Sequence, residues 1–109
     1  MSLKHTEHAG NLLLTFNGGL TIFQAAERKP ELLHALSQAS RMLSLDLSGV
    51  DEIDTAGIQL LLLLRREAAN RGLLLAVVAY SPAVLAAFDL LQLHAMFHAE
   101  TASPTEGAA

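Results

Sequence analysis

Two hydrophobic patterns alternate along the chain, and the change from one to the other predicts the order of strands and helices. A short apolar run over residues 11–16 ends at Asn17-Gly18-Gly19, which is a strong turn signal. Residues 20–22 are therefore predicted to return as the second strand of a hairpin. From about residue 24 to 39 the apolar positions follow helical spacing, with Pro30 expected to kink or restart that helix.

The second half of the chain repeats the alternation. Residues 42–47 are predicted to form a buried strand that ends at a Ser48-Gly49 turn, and residues 56–70 a helix with Gly72 as its left-handed cap. Residues 73–79 are almost wholly apolar, which is typical of a strand covered on both faces. Ser81 and Pro82 then open a helix to about residue 91, and a short strand is expected near residues 96–98.

This order of elements predicts the fold class. A strand, a helix and a further strand joined by short turns form a crossover unit, so the strands at 42–47 and 73–79 should be parallel. With a hairpin in front, the prediction is an α/β fold with a small mixed, partly parallel β-sheet and helices packed on it. Residues 10–99 are expected to form a single domain, while residues 1–9 and 100–109 are expected to be flexible termini.

Composition and charge narrow the function classes. Eleven acidic and seven basic residues give a net charge of −4, which argues against a nucleic-acid partner. The chain has no cysteine, so disulfides and zinc–thiolate sites are excluded. Its longest apolar run, residues 73–80, falls far below the roughly 20 residues of a membrane span. We therefore expect no direct membrane insertion and take the cytoplasm as the default location.

The segment from residue 45 to 58 carries the most information. A strand is followed by an acidic loop, and a helix then begins near Thr55. The side chain of Asp54 or Thr55 can accept hydrogen bonds from the free N–H groups of the first helical turn. Asp54 is also favoured by the positive end of the helix dipole. Gly57 would let another backbone segment approach that first turn closely.

These residues resemble the STAS domain family, to which the bacterial anti-sigma-factor antagonists belong. The family pattern is a strand ending in Asp-Leu-Ser-Gly-Val, here residues 46–50, and a helix opening in Asp-Ser-Ser-Gly, here Asp-Thr-Ala-Gly at residues 54–57. The resemblance covers roughly residues 10 to 98. It implies a regulatory, non-enzymatic module of bacterial signal transduction that acts by protein–protein interaction.

The resemblance also raises the question of phosphorylation. In the anti-sigma-antagonist branch a partner kinase phosphorylates the serine before the glycine, and that position is Ala56 here. Alanine has no hydroxyl, so the usual phosphoserine switch cannot operate. Thr55 keeps a hydroxyl at the helix start, where phosphate is electrostatically favoured, but the neighbouring Asp54 opposes the added charge. Thr55 is therefore a weak candidate for phosphorylation.

Three branches of the family supply candidate partners. The first two are a kinase-type anti-sigma factor and a chemotaxis signalling protein. The alternative is the ATPase of a phospholipid-transporting ABC system, for which this chain would be the cytoplasmic STAS subunit. In each branch the resemblance implies binding through the loop and helix that begin at Asp54. The oligomeric state stays open, and a homodimer is compatible with apolar helix surface.

The partner-binding residues are predicted along the start of the helix at 56–70. Stepping 100° per residue places Leu63 among polar side chains and Leu60 at the edge of the buried face. A surplus leucine beside polar residues suggests a contact patch, although single exposed leucines are ordinary. The predicted recognition residues are Asp54, Thr55, Ala56, Gly57, Leu60 and Leu63.

Enzymatic and metal-binding functions find little support. The carboxylates between residues 46 and 54 could mimic the acidic pocket of a receiver domain, but the first predicted strand has no acid and no lysine follows Lys29. His94 and His98 have the spacing of two metal ligands on a helix, yet no third ligand is evident. We therefore predict no catalytic residue, no metal site and no cofactor.

Overall fold

The computed structural model describes residues 2–97, and these form one mixed sheet with three α-helices and a short 3₁₀ helix. Within this range each predicted helix is present, although several boundaries differ from the prediction. The elements are β1 (Ser2–His8), β2 (Asn11–Leu20), α1 (Ile22–Leu36), β3 (Met42–Ile53), α2 (Thr55–Asn70), β4 (Leu74–Tyr80), α3 (Pro82–Leu91) and the 3₁₀ helix (His94–Phe97).

The sheet has the strand order β1-β2-β3-β4. β1 and β2 are antiparallel, whereas β2 and β3, and β3 and β4, are parallel. This confirms the predicted α/β class with a mixed, partly parallel sheet. Because β2 and β3 run in the same direction, the helices that follow them begin at the same edge of the sheet.

Alternate residues of the two central strands form the centre of the core. Side chains in a strand point to opposite faces in turn, so every second residue faces the helices. On α2 the residues Ile58, Leu61, Leu64 and Ala68 share one face at helical spacing and are buried. The core residues of the central strands are at most 1% exposed: Leu12, Leu14 and Phe16 of β2 and Leu43, Leu45 and Leu47 of β3.

The N-terminal hairpin differs from the prediction. Residues 2–8, expected to be flexible, form β1 and pair along β2 from Ser2↔Asn17 to His8↔Asn11. The turn is at Ala9-Gly10, where both φ angles are positive, and β2 continues through Asn17-Gly18-Gly19 to Leu20. β1 is an edge strand, where polar side chains are common. Its ladder of backbone hydrogen bonds to β2 orders a sequence that hydropathy predicts to be loose. Residues 100–109 lie outside the described range.

β3 also extends further than predicted. The expected Ser48-Gly49 turn is absent, and the strand runs on to Ile53. Gly49 pairs with Asn17 and Val50 with Gly18, after a register shift. The shift accommodates the local hydrogen bond that Ser48 makes to Asp46, so a turn-like sequence stays inside the strand.

The prediction that β4 is covered on both faces is wrong. Leu75 is buried, but Leu74 is 42% and Val78 56% exposed. β4 is an edge strand, and the helices cover one face of the sheet, so Leu74 points to the opposite side, as does Leu13 of β2. An apolar run alone does not show whether one face of a strand or both faces are covered.

The C-terminal part of the described chain is helical. Ser81 caps α3 by accepting a hydrogen bond from the Val84 N–H at 3.1 Å, as predicted. In place of the strand expected at residues 96–98 there is the 3₁₀ helix, and His98 lies outside the described residues. The aromatic ring of Phe97 packs on Phe88 with 5.1 Å between ring centroids, and this contact holds the 3₁₀ helix against α3.

Tyr80 offers a direct test of packing at the end of β4. Burial raises the pKa of its phenol, whose ring lies 5.5 Å from those of Phe88 and His94. Because the folded-state pKa is the higher one, this phenol leaves the stability unchanged at pH values below the unfolded-state pKa of about 10 and lowers it as the pH rises from there through the folded-state pKa. Since Tyr80 is the single tyrosine, absorbance titration of the native protein should give a midpoint above that in denaturant. Equal midpoints would show that the phenol is not desolvated.

None of the helices in residues 2–97 combines the length and hydropathy needed to cross a membrane.

Candidate functional site

Two strand-to-helix turns lie side by side at one edge of the sheet. Leu20 at the end of β2 pairs with Ile53 at the end of β3. Each strand is followed by one extended residue, Thr21 or Asp54, and then directly by a helix. The first turns of α1 and α2 therefore meet at this edge, with free backbone N–H groups on both.

The Asp54 carboxylate binds to both helix starts. Its Oδ1 accepts a hydrogen bond from the Gly57 N–H at 3.0 Å, which confirms the predicted cap of α2. Its Oδ2 accepts one from the Ile22 N–H, also at 3.0 Å, at the first residue of α1. The Asp54 N–H donates to the carbonyl oxygen of Leu20 at 3.3 Å. A single residue, through its side chain and its backbone N–H, thus holds two helices and the end of β2 together.

α1 also has a cap of its own, and Asp54 accepts from a further donor of its first turn. The Gln24 side chain accepts a hydrogen bond from the Thr21 N–H at 3.2 Å and also contacts the Thr21 hydroxyl. This is one half of a capping box. The Ile22 N–H next along the chain is the group that Asp54 satisfies.

Gly57 is required by the close approach of β2, as its sequence position suggested. A Cβ atom at this position would lie 2.1 Å from the Leu20 carbonyl oxygen and 3.0 Å from Cγ1 of Ile53. The first of these is a backbone atom that cannot rotate away. Gly57 and Asp54 therefore fix how α2 leaves the sheet, and neither depends on a partner for its contacts.

The six predicted recognition residues differ in accessibility. Thr55 is exposed and Ala56 and Leu63 are half-buried, so these three can meet another molecule. Asp54 is half-buried and Gly57 buried, both in the contacts just described. Leu60, predicted at the edge of the buried face, is only 5% exposed and so offers little surface to a partner. Helical spacing alone predicts a single buried face, the one that packs on the sheet. In the structure α1 also packs beside α2, and it buries Leu60.

Sequence reasoning missed the first turn of α1. Ile22 is 59% and Phe23 81% exposed, next to the Asp54 contact. The signal was the apolar pair directly after the capping residue Thr21, but it was hidden because residues 20–22 were assigned to a strand. Between the two helices lies a groove of about 350 Å³, lined by Ile22, Ala25, Ala26 and Lys29 of α1 and by Ala56, Gln59, Leu60 and Leu63 of α2.

A second groove adjoins the first across α2. It measures about 370 Å³, shares Gln59 and Leu63 with the first groove, and extends to the 3₁₀ helix. There the Arg65 Nε donates a hydrogen bond to the Met96 carbonyl oxygen at 2.7 Å. The remaining lining residues are Leu62, Arg65, Arg66 and Met96.

Unlike Asp54, the carboxylate of Asp46 accepts hydrogen bonds from a neighbour in its own strand. The hydroxyl and the N–H of Ser48 donate to Asp46 Oδ1 at 2.7 and 3.0 Å, and these hydrogen bonds hold the pKa of Asp46 below its usual value. Asp51 and Glu52 are exposed at the end of β3. Within residues 2–97 no group of three or more His, Asp or Glu side chains is arranged to hold a metal ion.

Comparisons with known proteins agree with this architecture. The STAS domain family matches residues 2–109, while no curated protein matches the sequence significantly. Among solved structures, a proposed anti-sigma-factor antagonist of Thermotoga maritima has a TM-score of 0.75 and 21% identity, covering 84% of this chain and 79% of its own.

Two structures of the anti-sigma-factor antagonist SpoIIAA are also similar. The unphosphorylated form has a TM-score of 0.66 and 16% identity, covering 84% of this chain and 82% of its own. The phosphorylated form, described as a Bacillus cell fate determinant, has a TM-score of 0.62 and 15% identity, covering 84% and 85%. At these identities the likeness is one of fold. Because the family match spans nearly the whole sequence, this chain belongs to the STAS domain family.

Proposed function

We propose that the protein is a non-enzymatic regulatory module that binds a partner protein at the edge where α1 and α2 begin. The observation that carries the proposal is the exposed Thr55, held on a turn that Asp54 and Gly57 fix, beside an apolar groove of about 350 Å³. A fixed backbone lowers the entropy cost of binding, because little has to be ordered on contact. Leu63 supplies apolar surface in this groove.

For the partner we propose a kinase-type anti-sigma factor or a chemotaxis signalling protein, with the ATPase of a phospholipid-transporting ABC system as the alternative. The fold likeness to anti-sigma-factor antagonists supports the first of these. At the serine position of that branch the chain has Ala56, so regulation there would need the exposed hydroxyl of Thr55. A phosphate on Thr55 would gain from the N-terminus of α2 and lose from the adjacent Asp54 carboxylate.

The proposal can be tested by capture from the native cell extract with wild-type protein and two variants as bait. Thr55→Glu adds a charge where the helix dipole tolerates it, so the fold should be kept. Leu63→Glu places a charge in the proposed contact. Each variant is expected to retain at least about tenfold less of the specific partner than wild type, because an unpaired charge buried at an interface costs more than about 1.4 kcal/mol.

Matched controls separate the site from a general effect of added charge. Thr6→Glu lies on the exposed edge strand β1, and Leu13→Glu on the face of the sheet that the helices leave open. Both controls should retain the partner as wild type does. If the Thr55 and Leu63 variants capture the same protein in the same amount as these controls, this edge is not the binding site.

A further inference from the structure

Gln59 and Leu63 form a ridge on α2 between the two grooves. They are four residues apart and so lie above one another on the same side of the helix. The groove towards α1 begins at Ala56 and Leu60, and the groove towards the 3₁₀ helix begins at Leu62. The surface around α2 is therefore a ridge with an apolar depression on each flank.

The charges along these depressions are all of one sign. The charged lining residues are Lys29 in the groove beside α1 and Arg65 and Arg66 in the groove beside the 3₁₀ helix. None of the lining residues is acidic, although the chain as a whole has eleven acidic residues against seven basic ones. A basic, apolar face on an acidic protein is a local inversion of the overall charge.

The basic side chains that line the grooves differ from Arg28 and Arg71 in that no acidic side chain forms an ion pair with them in the described residues. Arg28 pairs with Glu31 at 3.0 Å, and Arg71 lies 4.0 Å from Glu67. In the described part of the chain neither Lys29 nor Arg66 has a carboxylate within ion-pair distance, and both are exposed. Arg65 is held by the Met96 carbonyl oxygen rather than by an acid. Carboxylates from outside the molecule can therefore reach two unpaired cations, one on each flank of the ridge.

From this arrangement we infer that the α2 ridge and its two grooves bind an acidic amphipathic helix of the partner protein. Apolar side chains of that helix, spaced at i, i+3 or i+4, and i+7, would fill the grooves, and its Asp or Glu residues would face Lys29 and Arg66. The small side chains of Ala25, Ala26 and Ala56 let the helix of the partner protein approach the groove beside α1 closely. The inference rests on the proposed function and adds the chemistry of the partner.

The test uses a displayed library of random peptides long enough for four helical turns, selected on the immobilised full-length protein. Enriched peptides should be acidic and carry apolar residues at helical spacing. For an enriched peptide, Lys29→Glu combined with Arg66→Glu should raise the dissociation constant about tenfold or more, and added salt should weaken binding to wild type. Lys4→Glu combined with Arg41→Glu changes the net charge equally at exposed positions outside both grooves and should leave binding within about twofold of wild type.

Several outcomes would overturn the inference. One is enrichment of neutral or basic peptides, and another is failure to enrich any peptide. A third is equal loss of binding in the two double variants. Co-sedimentation of wild type, but not of the Lys29/Arg66 variant, with vesicles of phosphatidylglycerol and phosphatidylcholine would assign the surface to lipid instead.

The same variants distinguish this inference from the proposed function. If the native partner is lost with Thr55→Glu and Leu63→Glu but retained with the Lys29/Arg66 variant, the proposed binding site is supported. The inference that the partner binds through an acidic helix is then wrong. If the native partner is indifferent to Thr55→Glu and Leu63→Glu, the proposed function itself fails.

Discussion

Replacing Gly57 by alanine is expected to lower the free energy of unfolding by about 3 kcal/mol or more, the upper range for overpacking a buried position. The added Cβ would lie 2.1 Å from the Leu20 carbonyl oxygen, well inside van der Waals contact. Alanine is the better helix former by about 1 kcal/mol, so propensity alone predicts the opposite sign. The steric cost is expected to exceed the gain in helix propensity, because relieving the clash requires α2 to move away from the end of β2 while Asp54 holds the two together.

Chemical denaturation followed by far-ultraviolet circular dichroism measures this effect. Gly19→Ala is the matched control, because the nearest atom to a Cβ there is 3.7 Å away and its φ is not positive. We expect Gly19→Ala to stay within about 0.5 kcal/mol of wild type. A Gly57→Ala protein with the midpoint of wild type would show that the turn is more compliant than the structure indicates.

Asp54→Ala is expected to cost about 2–3 kcal/mol of stability, roughly twice the loss from removing one ordinary helix cap. The variant leaves two helix N–H groups, those of Gly57 and Ile22, without their 3.0 Å acceptors. Both hydrogen bonds are strengthened by the charge of the carboxylate. Equilibrium denaturation of the variant gives the loss directly.

Two further variants give this prediction its internal controls. Asp54→Asn keeps one acceptor oxygen, so it should lose about half as much stability, roughly 1 kcal/mol. Asp51→Ala removes an exposed carboxylate from the same acidic stretch and should change stability by less than about 0.5 kcal/mol. Should Asp54→Ala and Asp51→Ala have equal stability, the carboxylate does not hold the two helices.

Local signals explain what the sequence predicted well. The caps of α2 and α3 depend on residues within one turn of Asp54 and Ser81, so the type of residue and its spacing are sufficient. The buried face of α2 follows from helical periodicity for the same reason. The family motif then placed these elements in a known fold, and the observed mixed sheet agrees with it.

The errors came from contacts distant in sequence. β1 is a strand because β2 pairs with it, although its own residues are mostly polar. Leu60 is buried because α1 lies beside it, which the periodicity of α2 cannot show. The exposed Phe23 was missed because a strand was extended into the start of α1. Likewise, Leu74 is exposed because the helices leave one face of the sheet open, and an apolar strand does not itself show which of its faces is covered.

The Asp54 bridge also bears on the order in which the chain can fold. All residues of α1 are present once the chain has reached Leu36, but the acceptor for its first N–H lies 32 residues beyond Ile22. The partner strand of β2 on that side, β3, is likewise made later. During synthesis from the N-terminus, the start of α1 therefore has only its own Thr21–Gln24 cap until Asp54 has been added. The helix that comes first in the sequence is completed by the turn that introduces the second.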